Sequence, residues 1–172
     1  MRRFVLAAMA LLLAAPAQAQ ATDNPLTAAL SRQFTGVARN VVATAEAVPE
    51  DLYDYRPAEG ARSMGELIGH VTDYFYQFCA AAAGEEVPDA RNFEALATKA
   101  EHVEAITAAR DYCAQVWAGA TDAWLLEVTD SAMGRDVRAS LLAFNNSHTN
   151  EHYGNLVTYM RLNGIVPPSS QP

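Results

Sequence analysis

Two histidines, His148 and His152, stand four residues apart in a C-terminal stretch whose apolar spacing predicts a helix. Residues four apart on a helix are offset by about 40° and about 6 Å along the axis, so both imidazoles can reach one point beside it. A shared divalent metal ion requires this arrangement. A third histidine, His70, lies on an apolar stripe of an earlier predicted helix. Three neutral imidazoles from two helices, with one coordination position open, would form a divalent-metal site.

Other interpretations of the histidines stay open at this stage. A single histidine on an apolar face is usually a hydrogen-bonded core residue, and His70 alone would fit that description. His148 and His152 together are more informative. Burying two imidazoles is unfavourable unless each has a polar partner, and one metal ion can bind both. On the same face of the predicted helix, Phe144 lies one turn before His148 and Leu156 lies one turn after His152. These apolar neighbours predict that the two histidines face the interior of the bundle. His102, beside Glu101 and without a second histidine at helical spacing, is predicted to be a surface residue.

The string from His148 to His152 also matches H-x-x-E-H, the inverted zinc-protease signature, with Glu151 as the base. That class needs a third, carboxylate ligand downstream, and no aspartate or glutamate follows His152. We therefore disfavour a protease. Glu151 is either a proton acceptor or orienting group beside the metal, or a carboxylate on the helix surface. The sequence contains neither a G-x-S-x-G motif nor a glycine-rich phosphate loop.

Four long amphipathic helices are predicted to position these residues. The second and third helices each begin with a capping box. In this motif a serine or threonine and a glutamate three residues later accept hydrogen bonds from each other's backbone amides. The first follows a capping side chain in Asp23-Asn24, with proline at its first position. The predicted helices run from Pro25 to Val48, from Ser63 to about Gly84, from Thr98 to about Gly119, and from about Asp136 to Asn163. Residues 121–135 are expected to form a short strand-like or irregular cover. The pattern predicts an all-α protein, a single four-helix bundle spanning residues 20–172.

The N-terminal residues have the pattern of a targeting segment. Arg2 and Arg3 precede an apolar run, and Ala17-Gln18-Ala19 has the form of a cleavage site, so residues 1–19 are predicted to be a signal peptide. An uncleaved anchor is the weaker interpretation, because the run is shorter than the roughly 20 residues that span a bilayer. We expect an exported protein, periplasmic or secreted, without stable membrane insertion after cleavage. The formal net charge of -8 argues against nucleic acid as a partner.

The chain has two cysteines, Cys79 and Cys113. In an oxidising compartment they could form a disulfide that closes a loop of about 35 residues and contributes roughly 3–4 kcal/mol on the chain-entropy model. The alternative is a pair of buried free thiols that behave as small apolar residues. Both interpretations stay open.

Two motifs resemble a known family. Residues 62–70, RSMGELIGH, resemble the R-S-x-x-E-L-x-x-H segment of the DinB/YfiT-like metalloenzymes. Residues 148–168 resemble that family's C-terminal pattern H-x-x-x-H-x-G-Q-L-x-x-Y-L-R-x-x-G-x-x-P-P. The resemblance covers essentially the whole chain after the signal peptide and is much more specific than the paired histidines alone.

The resemblance implies an up-down-down-up four-helix bundle and a divalent metal held by three histidines, which match His70, His148 and His152 here. It implies zinc or nickel most strongly, with manganese or iron as further options, and many members are homodimers. Known relatives include thiol-dependent S-transferases and a maleylpyruvate isomerase. Export weakens that analogy, because low-molecular-weight thiol cofactors are cytosolic. Asn155 stands where the family often has glutamine, so Asn155 and Tyr74 are the candidates for substrate contacts at the rim.

The leading functional hypothesis is a metal-dependent hydrolase or transferase acting on a small molecule. A bound ion would activate a water or polarise a substrate oxygen or sulfur. The alternative is a non-catalytic, metal-binding or stress-related module whose ion stabilises the bundle. A bundle without any metal, in which hydroxyls and amides satisfy the histidines, is the third possibility.

Overall fold

Four long helices and a small hairpin make up the part of the chain that the computed structural model describes, residues 23–171. The predicted signal peptide and its cleavage site lie outside these residues. In chain order the elements are α1 (Pro25–Ala47), α2 (Met64–Ala83), α3 (Lys99–Gly119), α4 (Asp122–Leu125), β1 (Val128–Ser131), β2 (Gly134–Val137) and α5 (Arg138–Leu162). Within the described range, no helix is both long and apolar enough to cross a bilayer.

Local signals set the ends of the helices. At the start of α2, the Ser63 hydroxyl accepts from the Glu66 amide at 3.2 Å, and the Glu66 carboxylate accepts from the Ser63 amide at 2.9 Å. A second capping box, at Thr98, opens α3, and Gly84 ends α2 in the left-handed region with φ 74°. These bounds confirm the prediction. The prediction for α1 was wrong in one detail: Asn24 does not cap the helix, because its side-chain oxygen accepts from the Asp122 amide at 2.9 Å.

The long helices form a ring in which α1 neighbours α3 and α5, while α2 neighbours the same two helices. The end of α1 meets the start of α3, where Lys99 Nζ donates to the Glu46 carbonyl at 2.7 Å. The start of α5 meets the end of α2, where Arg138 donates to the Ala82 carbonyl at 2.6 Å. Because α2 and α3 run in parallel, the direction sequence is up-down-down-up, as the family resemblance implied.

A disulfide links the parallel helices α2 and α3. Cys79 and Cys113 are both fully buried, with Cα atoms 5.4 Å apart. The Asn145 amide of α5 donates to the Cys79 sulfur at 3.5 Å, so the bridge is also in contact with the third neighbouring helix. The sequence left open either a disulfide or two free thiols, and the structure contains the disulfide.

The connection before α5 is more regular than expected. Residues 121–135 were predicted to be strand-like or irregular, and they contain the short helix α4 and most of an antiparallel hairpin in which Val128 pairs with Val137. The prediction that the last helix begins near Asp136 was wrong, because Asp136 pairs with Thr129 in the hairpin. The helix therefore begins at Arg138.

The buried face of α5 differs from the predicted one. Phe144 was expected to face the bundle, but it is 56% exposed, whereas Asn145 and Asn146 are 0% and 3% exposed. Polar side chains can occupy the core here because partners satisfy them, as when the Asn146 amide donates to the Leu30 carbonyl at 3.0 Å. The buried face thus runs through the asparagines, and His148 lies half-buried at its edge.

The prediction for His102 was also wrong, since its side chain is only 3% exposed. The turn after α1 covers the first turn of α3, and the Tyr53 ring lies 5.4 Å from the His102 ring, centroid to centroid. Gly65 of α2 also approaches the ring: a Cβ there would lie 3.0 Å from His102 Nε2. Burial lowers the pKa of His102, so this imidazole is a neutral core residue.

Candidate metal centre

The structure brings together the three histidines that the sequence singled out. His148 and His152 project from adjacent turns of α5, and their Nε2 atoms are 3.0 Å apart. His70 faces them from the antiparallel helix α2, with ring centroids 5.2 Å from His148 and 4.7 Å from His152. One ring nitrogen from each of the three lies within 4.8 Å of the others. Ligand atoms around a tetrahedral zinc ion are roughly 3.3 Å apart, so small side-chain movements would suffice to bind an ion.

A carboxylate that sequence reasoning missed orients His70. Glu94 lies in the loop between α2 and α3, and its Oε1 is 2.8 Å from His70 Nδ1. Its other oxygen accepts from Arg62 Nε at 3.0 Å. A histidine whose Nδ1–H is bound by a carboxylate presents Nε2 to a metal, and such outer partners raise the basicity of the ligand. No local signal marks Glu94, because it stands 24 residues from His70 in a loop.

Gly69 explains how the loop can reach His70. A Cβ at this position would lie 2.2 Å from the Phe93 carbonyl oxygen and 2.7 Å from the Glu94 amide nitrogen. Only glycine leaves room for the loop backbone directly against α2. Phe93 is fully buried beside it, and the Asn92 side chain accepts from the Glu94 amide at 3.1 Å. These contacts fix the backbone from which the Glu94 carboxylate reaches the histidine.

The electrostatics of the site suit a metal ion. Burial, and then the neighbouring His152 and His70, lower the pKa of His148 to about 4. Burial, followed by the charge of His70, also lowers the pKa of His152. Both imidazoles are therefore neutral at pH 7, the form that binds metals. Burial alone would raise the pKa of Glu94, but hydrogen bonds from Arg62 and His70 outweigh it and lower the pKa, so this carboxylate is ionised.

The surroundings of the three histidines differ at the two ends of the cluster. At one end the Tyr74 ring is 4.8 Å from His70 and 4.4 Å from His148, and the exposed Phe144 stacks on His148 at 6.3 Å. At the other end is a cleft of about 420 Å³. It is lined by Pro57, Gly60, Ala61, Arg62, Leu67, His152, Asn155 and Tyr159.

Of the other candidate residues, Tyr74 contacts the histidines, and Asn155 lines the cleft beside His152. Their role in binding a substrate stays a prediction. Glu151 is exposed, and it makes no hydrogen bond or ion pair to another part of residues 23–171. Its charge raises the pKa of His152 by less than burial lowers it. Its predicted role as a base or orienting group has no contact to support it.

Glu94→Gln should weaken metal binding while preserving the shape of the side chain. The amide keeps one oxygen but loses the charge that holds His70 and Arg62, and changes to such outer partners typically lower metal affinity about 10–100-fold. We expect that decrease in a zinc competition assay with a chromophoric chelator. Glu86→Gln, an exposed change in the same loop, should leave the affinity unchanged. Equal affinities for both variants and the parent would contradict the orienting role.

Asp73, one turn after His70 on α2, provides a test of the electrostatics. Burial, followed by the charge of Glu94, raises its pKa from 3.8 to about 6. The folded chain therefore binds this proton more tightly than the unfolded chain, and Asp73 lowers the free energy of unfolding as pH rises from about 4 to about 6. Asp73→Asn removes the buried charge. After allowance for partial exposure, it should raise the free energy of unfolding by about 1 kcal/mol above pH 6.

Urea unfolding near pH 7.5 and near pH 4 measures this effect. Most of the stabilisation by Asp73→Asn should disappear at the lower pH, because the folded chain then holds Asp73 protonated and the unfolded chain is near the midpoint of its titration. Asp51→Asn, at an exposed position, should change little at either pH. A stabilisation of the same size at both pH values would mean that the effect does not come from ionisation.

Comparisons with known proteins agree with the fold. The family model of the DinB superfamily matches residues 33–156. A DinB-like protein from Bacillus subtilis superposes with a TM-score of 0.65 at 21% identity, covering 83% of this chain and 98% of its own. A DinB-like protein from Bacillus cereus gives a TM-score of 0.70 at 13% identity, covering 81% and 93%. No curated protein matches the sequence. With the family model spanning well over half of its length, the chain belongs to the DinB superfamily.

Proposed function

We propose that His70, His148 and His152 hold one divalent metal ion in an enzyme that hydrolyses, or transfers a group of, a small molecule. Zinc and nickel suit three neutral imidazoles best, and manganese or iron are alternatives. The observation that carries the proposal is the convergence of three ring nitrogens, within 4.8 Å of one another. A site built from three protein ligands leaves a coordination position for a substrate.

The chain's own residues would prepare this site in distinct ways. His148 and His152 supply a pair of neutral nitrogens, 3.0 Å apart, on one helix. Glu94 holds the His70 ring in one orientation through the 2.8 Å contact to Nδ1. The Tyr74 and Phe144 rings pack against His148 on one side of the site. When bound, the ion supplies Lewis-acid chemistry towards a substrate oxygen or sulfur.

One observation favours the non-catalytic alternative. Glu94 is the carboxylate in contact with the histidines, and His70 and Arg62 already occupy both of its oxygens. Among residues 23–171, no other carboxylate forms a hydrogen bond or ion pair with the three histidines. A proton acceptor would therefore have to come from the substrate or from a water, whereas an ion that only stabilises the bundle needs none.

We also propose that the protein acts outside the cytoplasm. The charged and apolar N-terminal segment supports export. The Cys79–Cys113 disulfide is consistent with an oxidising compartment, where such bridges persist. The homodimer implied by the family stays a prediction.

Catalysis is tested with the purified chain, residues 20–172, prepared without metal and then loaded with zinc, nickel or manganese. Elemental analysis should give about one ion per chain. Turnover of a panel of small esters, amides and thiol acceptors should then depend on the ion and disappear with chelation. Full metal loading with no turnover across the panel, together with a large rise in melting temperature, would favour the structural role. Failure to take up any of the three ions would contradict both.

A further inference from the structure

Arg62 is linked to the centre through Glu94, and its guanidinium is only partly used. Its Nε donates to Glu94, whereas its two terminal nitrogens donate to no acceptor within residues 23–171. The side chain is 41% exposed. Arg56, on the same side of the bundle, differs: both of its terminal nitrogens donate to the Glu66 carboxylate. Arg62 therefore keeps a planar pair of donors available to a ligand, and Arg56 does not.

Two contacts fix Arg62 beside the histidines. The Glu94 carboxylate bridges His70 Nδ1 and Arg62 Nε, at 2.8 Å and 3.0 Å, so the guanidinium is one carboxylate away from the His70 ring. The Tyr159 hydroxyl donates to the Arg62 carbonyl at 3.1 Å and ties its backbone to α5. Arg62, His152 and Asn155 then line one cleft of about 420 Å³, a volume that suits a small molecule.

The positive charge of Arg62 in this cleft contrasts with the net charge of the chain. The formal net charge is -8, so a small anion would be repelled over most of the surface. On the other side of the histidines lies the exposed ring of Phe144, one helical turn from His148. The histidines therefore have the terminal guanidinium nitrogens of Arg62 on one side and the apolar ring of Phe144 on the other, so a bound anion would have a preferred direction.

We propose that the substrate is a small carboxylate whose anionic group binds the terminal nitrogens of Arg62 while its reacting group lies at the three histidines. This inference depends on the proposed metal-dependent function. The planar guanidinium edge matches a carboxylate in a two-point hydrogen-bonded contact. Asn155, at the rim of the same cleft, adds an amide that suits one further polar group of the ligand.

Matched ligands test the proposal by binding alone. The probes are hydroxamates, which chelate divalent metals, joined by two, three or four methylenes to either a carboxylate or the isosteric carboxamide. Calorimetric titration of the zinc-loaded chain measures both members of each pair. At the best spacer length we expect the carboxylate to bind about tenfold more tightly than the carboxamide, since charge-assisted contacts are stronger and Arg62 is partly solvated.

Variants test whether Arg62 causes the preference for the carboxylate probe over the carboxamide probe. Arg62→Gln should remove the preference for the carboxylate, and Arg62→Lys should restore part of it. Arg161→Gln removes the same charge from the exposed end of α5 and should leave the preference intact. The carboxamide probe is the internal control, because any damage to the metal centre through Glu94 weakens both members of a pair equally.

The possible failures are distinguishable. Equal binding of both members at every spacer length would overturn the carboxylate anchor and leave the metal site standing. A preference that survives in Arg62→Gln would also overturn it, since another group would then recognise the anion. Binding of neither probe to a zinc-loaded chain would overturn the open metal site and the anchor together.

Discussion

His148→Ala is expected to abolish tight metal binding, with a loss of zinc affinity of more than about 100-fold. Changes to an outer partner already lower affinity by about 10–100-fold, and this substitution removes a direct ligand. It also breaks the pair on α5, whose Nε2 atoms are 3.0 Å apart. The remaining two imidazoles, His70 and His152, come from different helices and would leave the ion bound mostly by water.

Without metal, His148→Ala should leave the stability of the protein unchanged or raise it slightly. The Nδ1 atom of His148 is buried without a partner among residues 23–171, and burial lowers the pKa of the ring. Removing an unsatisfied polar group from such a position is close to neutral or mildly stabilising. We therefore expect an unchanged or higher melting temperature without zinc, and no further rise when zinc is added.

The control is the fourth histidine. His102→Gln removes a buried imidazole far from the site in sequence, and it should lower stability without changing zinc stoichiometry or affinity. Elemental analysis, a competition assay with a chelator, and melting curves with and without zinc make the comparison. Retention of tight zinc binding by His148→Ala would show that the three histidines are not the ligands.

Gly69→Ala is expected to lower the free energy of unfolding by about 2–4 kcal/mol, although alanine is normally the better helix former by about 1 kcal/mol. The added Cβ would lie 2.2 Å from the Phe93 carbonyl oxygen and 2.5 Å from its carbon. Both are backbone atoms, so a rotamer change cannot relieve the overlap. The loop must move away from α2 and partly expose Phe93.

This movement should also reach the metal centre. Glu94 follows Phe93 directly, and its contact to His70 Nδ1 is 2.8 Å. Displacement of the loop would break this contact, so zinc affinity should fall by roughly the 10–100-fold expected for Glu94→Gln. A single substitution that touches no ligand would therefore change both stability and metal binding.

Gly36→Ala is the matched control. Gly36 also lies within a long helix, α1, but a Cβ there meets no heavy atom within 4 Å. Its helix-propensity gain is not opposed by packing, so we expect a stabilisation of about 0.5–1 kcal/mol. Urea unfolding of both variants separates the two effects. Equal stabilisation by both substitutions would contradict the close approach of the loop to α2.

The sequence alone determined the helical elements and one half of the metal centre. Capping boxes at Ser63 and Thr98, and glycine after α2, act within four residues, so they are readable without a fold. The spacing of His148 and His152 is likewise a property of one helix. The up-down-down-up order followed from a resemblance rather than from the residues, and the contacts between helices confirm it.

Tertiary structure decided which residues surround that pair. Phe144 turned outward because hydrogen bonds across the bundle allow Asn145 and Asn146 to be buried, and an apolar-stripe rule cannot foresee such partners. His102 became a core residue for a similar reason, since a turn distant in sequence covers it.

The remaining features of the site depend on long-range packing. Glu94 reaches His70 across 24 residues only because Gly69 lets a loop lie against α2. The Tyr159 hydroxyl binds the Arg62 carbonyl although the two residues are 97 positions apart in sequence. Local sequence determines where helices begin and end, because the decisive hydrogen bonds join near neighbours. It does not determine which loop meets which helix face, because that choice depends on how all of the side chains fill the core together.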